Sequence, residues 1–328
     1  MRLACAALPL LSSIGFLAAQ TPFSGPMEGF TFDRPTGSLR GISGLLGSAL
    51  LGAPVLLKLD YASVAPLKDY AIAFRGGQCL FASDLRWVPI SIAILPGQFS
   101  VPDGIAWSGD GSVAVLYSPK GNWVQTISGL PLSPTAGPLL DVSPLGGTLS
   151  NVAVDFHGEQ LVIGVSGDNG GVFRIADSQT FLPLLTISKP ISLSFSDEGG
   201  KLYILDGASK QVFELNMGDS TSQSWPIADL EDPIAVRVIQ DAAQVRVVYV
   251  AGGSDSALVS YDSSSHEVIG SIPLTFQPTE MESLGRNSFV LRPRTSNDDP
   301  LWTFRTSAQP TVYFVPASPL ALGEDSGR

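Results

Sequence analysis

"VVYVAGGSDSALVSYDSSSHEVIGSIPL", residues 247 to 274, holds three apolar runs separated by a Gly-rich turn and by a second turn built on Asp and Ser. Runs of Val, Ile, Tyr and Leu bounded by such turns are strands, and two tight turns in succession make an antiparallel meander. The plan recurs in "PDGIAWSGDGSVAVLYSPKGNWVQTIS" (102 to 128), "LSNVAVDFHGEQLVIGVSGDNGGVFRIA" (149 to 176), "KPISLSFSDEGGKLYILDGASKQVFELN" (189 to 216) and "DPIAVRVIQDAAQVRVVYVAGGSDSALVSYD" (232 to 262). Weaker copies begin near Leu59, "LDYASVAPLKDYAIAFRGGQCLFAS", and near Thr279, "TEMESLGRNSFVLRPRTSNDDPLWTFRTS".

The copies start near residues 60, 104, 151, 190, 233 and 280. That period, about 40 to 47 residues, belongs to four-stranded propeller blades. Each strand of the unit has its own chemistry. The first takes small residues, "IAWS", "VAVD", "ISLS" and "IAVR", as a strand lining a crowded central channel must. The second is apolar on both faces, as in "KLYILD" and "VVYVAG", because it lies between sheets. The third alternates, as in "VFRIA" and "VFELN", because it nears an edge. A sandwich does not repeat in this way, and a parallel β-helix repeats at about 20 to 25 residues. The sequence predicts an all-β chain, a β-propeller of four-stranded blades.

Within that architecture "VYVAGGSDSALVSYDSSSHEVIGSIPL" and "LYILDGASKQVFELNMGDSTSQSWPI" resemble the YVTN group of the WD40-like repeat propellers, of the secreted bacterial type. In that group a Y-V-x-N strand is followed by a polar turn, a V-x-V-I/Y-D strand and a V-x-x-I strand. The resemblance covers most of the chain and is strongest in residues 190 to 274. Ala251-Gly252 and Leu205-Asp206 stand where the group carries its turn Asn.

Composition agrees with an all-β reading. Of 328 residues, 34 are Gly and 25 Pro, the hydrophobic fraction is 44%, and only 15% are charged. Such a chain is rich in turns and buries a sizeable core. Its 30 acidic and 19 basic residues leave a net charge of −11. With no basic stripe, that field repels DNA and RNA phosphates, so nucleic acid is not an expected partner.

"MRLACAALPLLSSIGFLAAQTPFSG" opens with one Arg, continues with an apolar, small-residue stretch from Leu3 to Ala19, and turns polar at Gln20. That is the layout of a secretory signal peptide over residues 1–20, and it predicts a secreted or periplasmic protein with no membrane span once cleaved. Cleavage would remove Cys5 and leave Cys79, alone between apolar neighbours in "GGQCLFAS", as a small buried hydrophobe. Residues 21–318 then form a single propeller domain, expected to be monomeric, and 319–328 read as a disordered tail. "FTFDRPTGSLRGI" (30 to 42) is a hairpin within residues 28–46. It is expected to close the ring beside "TVYFVPA" (311 to 317), with "GISGLLGSALLGAPV" as a linker packed along a blade. Six blades are countable, and the extra hairpin leaves room for a seventh.

Residues entering the first strands should gather at one mouth of the channel: Asp60, Asp103, Asn151, Lys189, Asp232 and Glu280. Behind them stand turn carboxylates at Asp168, Asp206, Asp255, Asp298 and Asp299. Carboxylates and an amide converging there would suit a hard cation such as calcium. This arrangement resembles the calcium-dependent sugar-lactone hydrolases of the propeller class, which implies a metal set of Asp60, Asp103, Asn151, Asp232 and Glu280. Against it, Asp and Asn are also ordinary turn residues. His157 and His266 fall in turns on the opposite face, out of reach of that mouth as general bases. "GDGS" and "GDNGG" are hairpin turns, since no helix follows them, and no nucleophile elbow, zinc motif or regular Trp motif of a quinone propeller is present. The leading expectation is therefore a binding or scaffold module for a protein, peptide or carbohydrate, with no cofactor. The calcium-dependent lactonase-like hydrolase is the alternative.

Overall fold

The computed structural model describes residues 25–316, apart from 46, 88, 178–179, 228–229, 241–245, 286, 294–300 and 307–308. The expected signal peptide and tail, and Asp298 and Asp299, lie outside the described residues. Among the described residues twenty-seven strands form seven antiparallel sheets, six of four strands and one of three. The short one comprises β1 (Met27–Asp33), β2 (Ser38–Ser43) and β3 (Leu50–Leu56). Next come β4 (Tyr61–Val64), β5 (Ala71–Arg75), β6 (Gln78–Ser83) and β7 (Ser91–Ile94), then β8 (Gly104–Trp107), β9 (Ala114–Ser118), β10 (Trp123–Ser128) and β11 (Thr135–Asp141). The middle blades are β12 (Thr148–Val154), β13 (Leu161–Ser166), β14 (Gly171–Ile175) and β15 (Phe181–Thr186), and β16 (Pro190–Phe195), β17 (Lys201–Asp206), β18 (Gln211–Asn216) and β19 (Ser222–Pro226). The last two are β20 (Pro233–Gln240), β21 (Arg246–Gly252), β22 (Ala257–Asp262) and β23 (Val268–Pro273), and β24 (Pro278–Gly285), β25 (Ser288–Pro293), β26 (Leu301–Arg305) and β27 (Thr311–Val315). Among the described residues no helix is long and apolar enough to cross a membrane.

The core is divided as a propeller requires. Seven buried apolar clusters occupy the seven gaps between neighbouring blades. Second strands supply the centre of each: in β9, β13, β17 and β21 almost every residue is buried, whichever face it points from. Cys79 lies there too, and burial pushes its thiol up to about 12, which keeps it protonated and inert. Outermost strands face water, and all four residues of β7 are exposed.

The blade period places all six innermost strands within a few residues of their sequence positions. The seventh blade departs from expectation. β27 pairs with β26 and completes its own blade, so the N-terminal hairpin is not its missing part. The hairpin recruits instead the segment read as a linker, which becomes β3. Arg40 makes this possible. Its buried guanidinium donates to the carbonyls of Gly52 (2.7 Å) and Leu51 (3.2 Å) and to Asp33 Oδ2 (3.1 Å). Those bonds bridge a stretch where the β2–β3 register shifts around Pro54, a residue without an N–H to give.

β1 lines the channel between β24 and β4, yet it runs against them. Gly29, near its start, abuts Leu284 at the end of β24, while Arg34, just past its end, holds Glu280 near the beginning of β24. The Phe32 ring lies 5.8 Å from that of Tyr61, at the start of β4. In direction and order β1, β2 and β3 match the second, third and fourth strands of the other blades. The position of the first strand is taken by β1 itself.

A three-stranded blade that packs on both neighbours should be integral to stability. Leu39 is fully buried in the gap between β2 and the β4–β7 blade. Leu39→Ala should cost about 2–5 kcal/mol and lower the whole unfolding transition in a thermal melt. An unchanged midpoint would mean that the short blade is not part of the cooperative unit.

Candidate functional site

The innermost strands enclose a cavity of about 640 Å³ lined from all seven blades. Its wall is mixed. Tyr61, Trp107, Tyr117, Phe156 and Phe195 bring aromatic surface, and Ser63, Asn151, Ser192 and Ser194 bring hydroxyls and an amide. Tyr117 belongs to a second strand and reaches the cavity only because Gly104, opposite it on β8, has no side chain. A Cβ there would collide with the ring and hydroxyl of Tyr117. Burial pushes that phenol up to about 12, and it raises Tyr61 further still, so both remain hydrogen-bond donors at any physiological pH.

Charged groups stitch the innermost strands together. Arg34 grips Glu280 with two bonds, Nη1 to Oε1 at 3.0 Å and Nη2 to Oε2 at 2.8 Å. Arg292, on β25, donates to both oxygens of Glu282 and to the Phe32 carbonyl of β1 at 3.1 Å. Burial opposes ionisation of Glu282, but Arg292 and Arg34 outweigh it and hold the carboxyl at about 2. Its neighbour Glu280 is raised by burial and by the charge of Glu282. Further round, Arg237 crosses three blades: Nη1 donates to Ser192 Oγ on β16 (3.2 Å) and to its own neighbour's carbonyl at Val236 (2.7 Å), and Nη2 to the Met281 carbonyl on β24 (2.6 Å). Trp107 Nε1 donates to Ser63 Oγ at 2.9 Å and links β8 to β4.

The sequence-predicted oxygen set is only partly assembled. Asp103, Asn151 and Glu280 line the cavity, whereas Asp60 and Asp232 do not. Asp103 is taken up by Lys120 (2.8 Å) and Ser118 (2.6 Å), and Glu280 by Arg34. Asp60 accepts from the Gly76 N–H at 2.7 Å. Among the described residues no group of three His, Cys, Asp or Glu side chains is placed to hold a metal ion. Lys189 and Asp206 meet as backbone and cap, the Lys189 N–H donating to Asp206 Oδ1 at 3.0 Å while Oδ2 takes Ser209. Asp255 likewise accepts the N–H groups of Glu231 and Asp232. These carboxylates fasten turns to the strands beside them.

The histidines lie in the turns expected of them. His157 follows β12, 3.9 Å from Asp110, and His266 precedes β23, stacked on Trp225 at 4.1 Å. What sequence reading missed is the part played by arginine. Arg34, Arg237 and Arg292 carry no spacing signal of their own. A cue was the charge of "IAVR" in a first strand, a position otherwise given to small residues.

No family model matches the chain, and no curated protein does. Solved structures of similar fold exist. A functionally unknown protein from Desulfotomaculum acetoxidans aligns with a TM-score of 0.60 at 12% identity, over 88% of this chain and 99% of that one. A catalytically inactive virginiamycin B lyase from Staphylococcus aureus, with quinupristin, aligns at 0.55 and 12%, over 84% and 94%. A nidogen/laminin complex gives 0.48 at 13%, over 75% and 92%. At such identities the first two matches speak for the fold alone.

The depressed carboxyl of Glu282 makes ring closure acid-sensitive. A group whose pKa falls on folding stabilises the native state above its unfolded value and stops doing so as pH drops through its folded value. The Glu282 contribution should therefore fade between its ordinary 4.5 and about 2. Glu280, shifted the other way, works against this from higher pH, so the measurement is a difference. Wild type should lose more stability than Glu282→Gln between those limits, from denaturant melts at a series of pH values. Parallel curves would show that the ion pairs of Glu282 with Arg34 and Arg292 do not contribute to closure.

Proposed function

We propose that this chain is an exported β-propeller of the YVTN or WD40-like kind that acts as a binding module, with the central cavity as the seat of its ligand. One observation carries the reading: a cavity of about 640 Å³ in which aromatic faces stand beside hydroxyl and amide groups. That volume is in the range of small-molecule sites. Aromatic surface covers the C–H face of a sugar, and fixed hydroxyl and amide groups read its oxygens, so a carbohydrate is the first ligand class and a short peptide the second. The signal-like stretch from Leu3 to Ala19 supports export to the periplasm or beyond, where such ligands are met. A thermal-shift panel of oligosaccharides and short peptides tests the reading. At least one compound should raise the melting temperature saturably, because it binds only the folded state. Tyr117→Ala should remove the rise. A panel without effect, or a rise indifferent to Tyr117, would dispose of the cavity as the site.

The calcium-dependent hydrolase is the second reading, favoured by Asp103, Asn151 and Glu280 sharing one cavity. With Asp103 and Glu280 already paired to Lys120 and Arg34, melts in EDTA and in excess calcium should superimpose. A rise of several degrees with calcium, abolished by Asp103→Ala, would restore the enzyme.

A further inference from the structure

Arg237 differs from the other buried or ion-paired guanidinium groups of the inner strands and the blade beside them. Arg34 and Arg292 face Glu280 and Glu282 within ion-pair distance, and Arg40 faces Asp33. Among the described residues Arg237 bonds only to neutral oxygens, a hydroxyl and two main-chain carbonyls. Glu282 is close enough to be felt through space but is already held by Arg292. Three arginines thus meet two glutamates around the inner channel, and the surplus charge rests on Arg237. The rest of the cavity wall carries Lys68 and three further acids. Asp103 is paired with Lys120, Asp110 is wrapped by Ser108 and Ser112, and Asp197 is exposed in a turn.

A cation removed from water without a counter-charge is costly. Here the three bonds across β16, β20 and β24 fix the guanidinium in place beforehand. They engage Nη1 and Nη2, and among the described residues Nε has no acceptor, so the Nε–Nη2 edge of the fork is not filled by the protein. Two N–H groups on one planar fork match the two oxygens of a carboxylate. One such fork takes one carboxylate group.

We propose that Arg237 is the anion-reading residue of the cavity and that the physiological ligand carries a carboxylate, a sugar acid being the class that also uses the aromatic and hydroxyl wall. The proposal rests on the cavity being the ligand site and adds the ligand's charge. Its test is calorimetric titration of the full chain with a glucuronic-acid disaccharide and with the disaccharide bearing glucose in its place. The acid should bind about tenfold tighter or more, the size of a charge-assisted pair of hydrogen bonds. Arg237→Gln should bring the acid down to the neutral sugar's affinity, and Arg237→Lys, which keeps the charge but not the fork, should lose most of the preference. Should either variant misfold, the wild-type comparison of acid against neutral sugar decides alone. Equal affinities would overturn the carboxylate while leaving the cavity as a sugar site. No binding of either compound, together with a silent thermal-shift panel, would remove both.

Discussion

Everything in this fold depends on closing the ring. A propeller blade is apolar on both faces, so each needs two neighbours, and the last gap must be sealed without a covalent link. This chain seals it with charge as well as with apolar packing. Ile42, Ala49 and Leu51 of the short blade meet Leu284, Val290 and Leu301 of the last full blade across the gap. At its inner end Arg34 of the short blade reaches Glu280 and Glu282, and Arg292, paired with Glu282 inside the last blade, donates across the gap to the Phe32 carbonyl. The ion pairs fix where β1 sits along β24; the apolar cluster supplies the burial. With one cysteine among the described residues, and that one buried in a blade interior, no disulfide shares the task.

The same charges shape the site. Because β1 occupies an innermost position while running against its neighbours, its turn brings Arg34 to the level of Glu280, near the start of β24. The other innermost strands bring small residues such as Ser63, Ala106, Ser192 and Ala235 to the channel beside a few large ones, and that economy of volume leaves a cavity. Closure and cavity are therefore one arrangement, seen from the rim and from within.

Architecture was legible in the sequence wherever the blade rule acts on every copy. Small first strands, apolar second strands and turn residues are demanded six times over, and the period emerges from repetition. The seventh blade obeys the rule only in part, and its third strand depends on a single buried guanidinium. Nothing in "GISGLLGSALLGAPV" announces that Arg40 will claim its carbonyls. The site was less legible for a related reason. Asp206, Asp255 and Asp262 repeat because turns need a side-chain acceptor, and Asp262 is held at about 2 by Ser264 and Ser265 in a surface turn. Repetition made turn chemistry resemble a ligand set. The residues that single out one position in the ring, Arg237 and Tyr117, occur once each and are invisible to a search for period.

Overall charge and local charge point in opposite directions here, and the difference in range reconciles them. The chain carries −11, yet acids at the surface are separated from the channel by packed sheets and water, and beyond about 10 Å salt screens them. Inside, a guanidinium with no carboxylate in contact dominates its immediate surroundings. An acidic exterior discourages indiscriminate capture of polyanions, whose many charges feel the whole surface. A small monoanion bound as proposed would meet Arg237 at contact distance. On this view the net charge filters ligands by size and valence before the cavity reads their shape, and specificity comes from the contrast between the two fields.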